Sequence, residues 1–241
     1  MLQRSRALVL HTLKYDDDRL ICALLTEESG LVSVIVRRPR SRRSGVQPSL
    51  LQPFSALSVE WEERAAGGLS PLRSAQSEAV WADLPYHPVK RALALFLSEF
   101  LCHVLRREQS SPALYAFTRA SVEWLDAARG GLANFHLVFL LRLTRFAGFF
   151  PNLDEAASGR WFDLQSGAFS PCRPAHPYFL PPDEAALLPR LMRMQYATMH
   201  LFRFSATERR RLLARITDYY RLHVPGFPEL RSPEVFAEVF G

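Results

Sequence analysis

Leu20-Ile-Cys-Ala-Leu-Leu-Thr26-Glu-Glu-Ser-Gly30-Leu-Val-Ser-Val-Ile-Val36 is the stretch that decides the fold. Residues 20–26 and 31–38 are rich in Val, Ile, Leu and Thr. Ile21, Ala23 and Leu25 alternate in the first, and Val32, Val34 and Val36 in the second, as half-buried strands do. Glu28-Ser29-Gly30 joins them as a hairpin turn in which Gly30 can take a positive φ. Working outward, residues 4–14 read as a preceding strand, followed by the polar turn Tyr15-Asp-Asp-Asp18. Leu50 to Trp61 and Leu69 to Gln76 supply two more strands, separated by Ala65-Ala66-Gly67-Gly68. Short strands this close together, with no helical pattern among them, predict a small closed or partly open barrel.

At Pro88 the period changes. Leu93, Leu97, Leu101, Val104 and Leu105 fall at helical spacings, with Arg91, Glu99 and Arg106 free to face outward. Ser111 can cap, and Pro112 can open, a second helix running to about Arg129, and a third spans roughly Ala133 to Ala147. Gly148 to Pro182 is a loop-rich insert carrying Pro151, Pro171, Pro174, Pro177, Pro181 and Pro182. Helices are expected after it near 183–196, 207–223 and 233–240. The fold class is mixed, β then α: a five-stranded barrel over residues 1–80, then an all-helical domain over 81–241 with the irregular insert at about 148–182.

A chain of 241 residues with 48% hydrophobic and 22% charged residues can bury a core and is neither fibrous nor disordered. Its formal net charge is +6, and every cation except Lys14 and Lys90 is an arginine. Arginine suits phosphate, so the balance points to nucleic acid, although genomic base composition also drives arginine usage. Cys22, Cys102 and Cys172 are odd in number and far apart, which fits reduced thiols in a cytoplasm. The N-terminus has no apolar leader, and the apolar stretch Phe135 to Phe150 is broken by Arg142 and Arg145. A cytoplasmic, nucleoid-associated protein with no membrane partner is therefore expected. Phosphate-cradling, dinucleotide, zinc-protease and serine-nucleophile motifs are absent from the sequence, so no catalytic residue and no cofactor are expected.

Arg37, Arg38, Arg40, Arg42 and Arg43 crowd the end of the third strand with no acid among them. A solvated loop is the bland alternative. After a barrel, however, clustered arginine is what supplies phosphate contacts, and Lys14 and Arg19 on the neighbouring turn are counted with it. A second run, Arg209, Arg210 and Arg211 with Arg215, lies on a helix; Arg209, Arg210 and Arg215 are candidate DNA contacts, and surface ion pairing is the alternative. Asp16, Asp17 and Asp18 admit a nuclease-like metal reading, but adjacent carboxylates in a turn diverge. Tyr15, Phe54, Trp61 and Trp81 are aromatics able to stack on bases, most of which a core must claim.

The order of these pieces resembles the bacterial RecO family of DNA repair and recombination-mediator proteins. The resemblance rests on Ala7 to Tyr15, Leu24 to Val34, the basic loop, and Leu50-Leu-Gln-Pro-Phe54-Ser-Ala-Leu57. It continues through Leu97-Ser-Glu-Phe-Leu101, Gly148-Phe-Phe-Pro151-Asn-Leu153 and Tyr219-Tyr-Arg-Leu-His223-Val-Pro-Gly226. It implies an OB-fold, a helical domain, binding to single- and double-stranded DNA, and strand annealing. It also implies partnership with RecR and with the C-terminal tail of single-strand-binding protein, so that RecA can load. Such a tail, acidic with an apolar end, needs a hydrophobic hole rimmed by cations. The helical domain, with Leu137, Leu141, Arg142 and Arg145, is where it is expected. Many members carry two Cys pairs in the insert; here only Cys172 and His176 stand near, so no zinc is expected, with Trp161, Phe162, Phe169, Tyr178 and the prolines holding the insert instead. An RNA-binding factor and a metal-dependent nuclease are the rival readings.

Overall fold

The computed structural model describes residues 1–37, 46–63, 69–105 and 111–230. Arg38, Arg40, Arg42 and Arg43, and the helix expected at 233–240, lie outside the described residues. Contacts group Met1–Ala127 into one compact unit and Ala128–Glu229 into another, so the first two helices belong with the barrel.

In the first unit, β1 (Leu2–Lys14), β2 (Arg19–Thr26), β3 (Gly30–Arg37), β4 (Ala56–Glu62) and β5 (Ser70–Ala79) close a barrel in the order β1-β2-β3-β5-β4. This is the OB-fold arrangement. Closure depends on β1, long enough to pair β4 with its first half, Leu2↔Glu62 to Leu8↔Ala56, and β2 with its second, ending at Lys14↔Leu20. A bulge between Val9 and His11 bends the strand where it changes partner. Ala7 and Val9 join Leu20, Cys22, Leu24, Val34, Val36 and Trp61 in the barrel core. Leu8 and Leu10, on the opposite face by the two-residue period, are buried as well, because α1 (Pro88–Val104) packs on β1.

The strand expected from Leu50 begins only at Ala56. Pro53 cannot donate to a ladder, and Phe54 is left-handed at φ 61, pinned by its N–H to Val9 O at 2.6 Å and by Trp81 Nε1 donating to its carbonyl at 2.8 Å. Phe54, Trp61 and Trp81 are thereby core residues. Ser111 does cap α2 (Pro112–Ala127), its Oγ accepting from Leu114 N at 3.2 Å. The Asp126 carboxylate near the end of α2 accepts from Ala82, Asp83 and Leu84 N–H at 2.9, 2.9 and 2.7 Å. Buried Lys90 reaches the Asp126 carbonyl at 2.6 Å and Asp83 at 2.7 Å, so the segment leaving the barrel is tied to both helices.

In the second unit, α3 (Phe135–Phe146) is buried almost all round against α5 (Leu188–Met192) and α6 (Ala206–His223), and Tyr220 Oη donates to Leu140 O at 2.7 Å. The single helix expected at 183–196 is two short ones, α4 (Pro182–Ala185) and α5, because Pro189 has no N–H to bond the Ala185 carbonyl four residues back and is instead accommodated in the first turn of α5. The insert is more ordered than its prolines suggest: β6 (Trp161–Asp163), β7 (Ala168–Ser170) and β8 (Phe179–Leu180) form a sheet in the order β7-β6-β8. Phe162, Phe169 and Leu180 share one face and pack with Leu164, Leu188 and Tyr219. Tyr178 is exposed and holds the sheet only through its carbonyl, which accepts from Leu164 N at 3.0 Å.

Candidate nucleic-acid interface

Barrel strands β3 and β5 pair in parallel for only two steps, Val34↔Ser70 and Ile35↔Pro71, since Pro71 offers no N–H. Beyond that seam opens a cleft of about 610 Å³. Ile35, Val36, Val46, Leu69, Pro71 and Leu72 make an apolar floor, and Tyr15, Arg19, Arg37 and Arg73 form the rim. Arg19 and Arg37 face each other directly across the β2–β3 ladder, a placement that repels unless an anion lies between or beside them. Arg19 has one: Asp16 accepts from its Nε at 2.6 Å and is held below the usual carboxylate range chiefly by that bond. The Arg19 guanidinium also lies 4.9 Å from the centre of the Tyr15 ring, which is 54% exposed. Arg37 is exposed and has no acidic partner among the described residues, whereas Arg4 and Arg6, elsewhere on the barrel, are paired with Glu60 and with Glu27 and Glu78.

Arg73 joins this rim although nothing in its own neighbourhood of sequence marks it; it donates to Glu62. Lys14 is paired with Asp17 at 2.7 Å. The acidic turn is thus committed to its own cations, and Asp18 contributes its N–H to Asp16 at 3.0 Å. Among the described residues, no group of three His, Cys, Asp or Glu could hold a metal ion.

The α6 candidates divide. Arg209 is half-buried, donating to Phe204 O at 2.5 Å, and it faces His136, whose imidazole is pushed down to about 3 by burial, with the Arg209 charge adding to the effect. Arg210 is exposed. Arg215 donates to Glu184 at 3.0 Å, and Arg211 pairs with the same carboxylate. These two and Glu184 edge an apolar groove of about 170 Å³ floored by Leu141, Leu180, Leu188, Leu191, Phe204 and Ile216. Arg142 and Arg145 stand outside it: Arg142 lies 5.5 Å from the Tyr196 ring and donates to Met194 O at 3.5 Å, and Arg145 lies 4.6 Å from the Phe150 ring. Leu137 is fully buried core; Leu141 lines the groove.

The insert's donors do not fit a structural zinc. His176 Nδ1 accepts from Tyr178 N at 3.2 Å, and Asp163 accepts from Gln165 N at 2.7 Å. Cys172 is exposed, with its own N–H and carbonyl both bonded to the Ser170 hydroxyl. What fastens the insert is α6: Tyr219 Oη donates to Phe149 O at 2.8 Å, His223 Nε2 donates to Leu164 O at 2.9 Å, and the Phe149 and His223 rings stack at 5.0 Å. Among the described residues no helix is long and apolar enough to cross a membrane.

Comparison with known proteins matches both units. The family model described as Recombination protein O N terminal covers residues 1–80, and that described as Recombination protein O C terminal covers 87–233. The chain is 45% identical over 241 residues to the DNA repair protein RecO of Bacteroides fragilis and 44% identical over 240 residues to that of Phocaeicola vulgatus, with 100% of both chains covered in each case. It is 36% identical over 244 residues to that of Porphyromonas gingivalis, again with 100% of both covered. An OB-fold barrel, a helical region after it and full-length likeness to these proteins agree: the chain belongs to the RecO family of DNA repair proteins.

Proposed function

We propose that this chain is a non-enzymatic recombination mediator. It binds single- and double-stranded DNA, anneals complementary strands and, with RecR, helps load RecA onto DNA coated by single-strand-binding protein. The observation that carries the reading is the barrel cleft, where Arg19 and Arg37 oppose each other beside exposed Tyr15 and an apolar floor. Opposed guanidinium groups are relieved when a phosphate enters between them, and counterion release drives the binding without regard to sequence. Tyr15 supplies a face on which an unpaired base can stack. Annealing follows when bound arginines cancel the repulsion between two strands and leave base edges free to pair.

The acidic, apolar-ended tail of single-strand-binding protein is assigned to the second unit's groove. Its apolar end suits the Leu and Ile floor, and Arg211, with 61% of its side chain exposed, keeps donors free toward solvent. This moves the tail contact from Arg142 and Arg145 to Arg211 and Arg215. The protein acts in the cytoplasm, at the nucleoid.

A strand-annealing assay in EDTA tests the function. Annealing should persist, fall in an Arg19→Ala/Arg37→Ala variant, and be no better on RNA than on DNA. Activity that vanishes with chelation would favour a nuclease, and a strong preference for RNA an RNA-binding factor.

A further inference from the structure

Arg211 and Arg215 stand one turn apart on α6, so their guanidinium groups share a face of the helix and repel each other. An anion between them relieves that repulsion, and α4 supplies one. Glu184 gives one carboxylate oxygen to each arginine: Oε1 accepts from Arg211, and Oε2 accepts from Arg215 Nε at 3.0 Å. Only 12% of the Glu184 side chain is exposed, whereas both arginines reach solvent. All three line the apolar groove, so the Glu184 carboxylate sits at its edge where the carboxylate of an incoming ligand would be received. Of the groove's other acids, Glu208 is engaged in a capping box, accepting from Ser205 N at 2.7 Å and Oγ at 2.8 Å, and Asp183 is exposed.

The backbone that carries Glu184 is fixed. Ala185, the next residue of α4, is fully buried in the cluster of Phe162, Leu180 and Leu188, and its N–H donates to Pro181 O at 2.8 Å. The carboxylate lies three bonds beyond that anchor, so rotation of the Glu184 side chain releases both guanidinium groups while α4 stays seated.

We infer that Glu184 is an internal competitor for the arginine pair, a specificity-determining residue whose carboxylate a ligand displaces with a terminal carboxylate of its own. The inference rests on the seating of the acidic, apolar-ended tail in this groove. Binding is then an exchange: two ion pairs within the chain are given up as the ligand forms its own, so the terminal carboxylate adds little net affinity and the apolar end supplies most of it. An acidic chain that lacks the apolar end is not retained, because charge alone gains nothing by the exchange.

The test uses the full chain as wild type, as Glu184→Gln, which keeps the size and an oxygen acceptor but removes the charge, and as Arg211→Gln/Arg215→Gln. A fluorescein-labelled Asp-Asp-Asp-Leu-Leu peptide is titrated by anisotropy as the free acid and as the C-terminal amide, and the ratio of the two affinities isolates the terminal carboxylate. The wild-type ratio should be no more than about threefold, and in Glu184→Gln it should rise by up to about fivefold for each arginine released, with the amide bound nearly as in wild type. Glu184→Asp, which keeps the charge but withdraws it by one methylene, should give an intermediate ratio and takes the place of the Gln variant if thermal melting shows that variant unfolded. In Arg211→Gln/Arg215→Gln the ratio should fall to about one, with weaker binding of the free acid. An unchanged ratio in the folded Glu184 variants overturns the competitor and leaves the seat of the tail standing. A wild-type preference for the free acid above about tenfold overturns it as well, since the fork would then be open without displacement. If Arg211→Gln/Arg215→Gln binds both peptides as the wild type does, the seat itself is wrong and the competitor falls with it.

Discussion

Arg37 and Arg19 share one rung of the β2–β3 ladder but differ in what they have to offer a ligand. Arg37 has no acidic partner among the described residues, and Arg19 has already spent one face on Asp16. Replacing Arg37 with Ala should therefore reduce the magnitude of the salt slope by roughly 0.7 on single strands, and equally for unrelated sequences. Asp16→Asn should do the reverse: by releasing Arg19 it should tighten binding a few-fold at low salt, read by anisotropy titration. Of the residues around this cleft, sequence alone pointed to Arg19, Arg37 and Tyr15. It could not show Arg73, because Arg37 and Arg73 meet only through the parallel β3–β5 seam, and no local pattern encodes which distant strand lies alongside. Arg209 misled for a related reason. Its place in a basic run says surface, but the turn of α6 directs it to the Phe204 carbonyl and toward a buried histidine.

At the scale of elements, the two-residue alternation of 20–36 made the barrel readable, since strands of eight residues repeat their period several times. The insert's strands, two or three residues long, are too short to have a period, and their sheet was invisible behind the prolines. What holds it can be tested at Gly167, which has φ +67 and lies so close to Tyr219 that an added Cβ would come within 2.6 Å of the phenol oxygen. Gly167→Ala should cost on the order of 1–3 kcal/mol in chemical denaturation. Part of that cost should vanish in a Tyr219→Phe background, where the clash is gone. The other element junction, Asp126 beneath residues 82–84, makes stability depend on pH. Burial pushes that carboxyl up, but the N–H groups of Leu84, Asp83 and Ala82, with Lys90, outweigh it and leave its pKa below the ordinary 3.8. A pKa depressed by folding gives stability that is present above 3.8 and lost as the pH falls through the lowered value. Asp126→Asn should therefore melt lower at neutral pH, by about 1–2 kcal/mol, and lose less than the wild type on acidification, as thermal melts at a series of pH values would show.

Across the whole molecule, charge and metal chemistry set the remaining expectations. With no three His, Cys, Asp or Glu side chains among the described residues placed to hold a metal ion, the purified protein should hold far less than stoichiometric zinc by elemental analysis, and chelation should leave its melting temperature unchanged. The cationic work falls to arginine, because of the two lysines Lys90 is sealed under the α1–α2 junction and only Lys14, with 59% of its side chain exposed, can be reached. That has a practical outcome for anyone labelling the protein. Amine-reactive dyes and cross-linkers have a single accessible lysine to attack, and it stands one residue from Tyr15 and the mouth of the barrel cleft. A dye on Lys14 would report on that cleft while perturbing it, and apart from the exposed α-amine of Met1 amine cross-linking would have no other anchor.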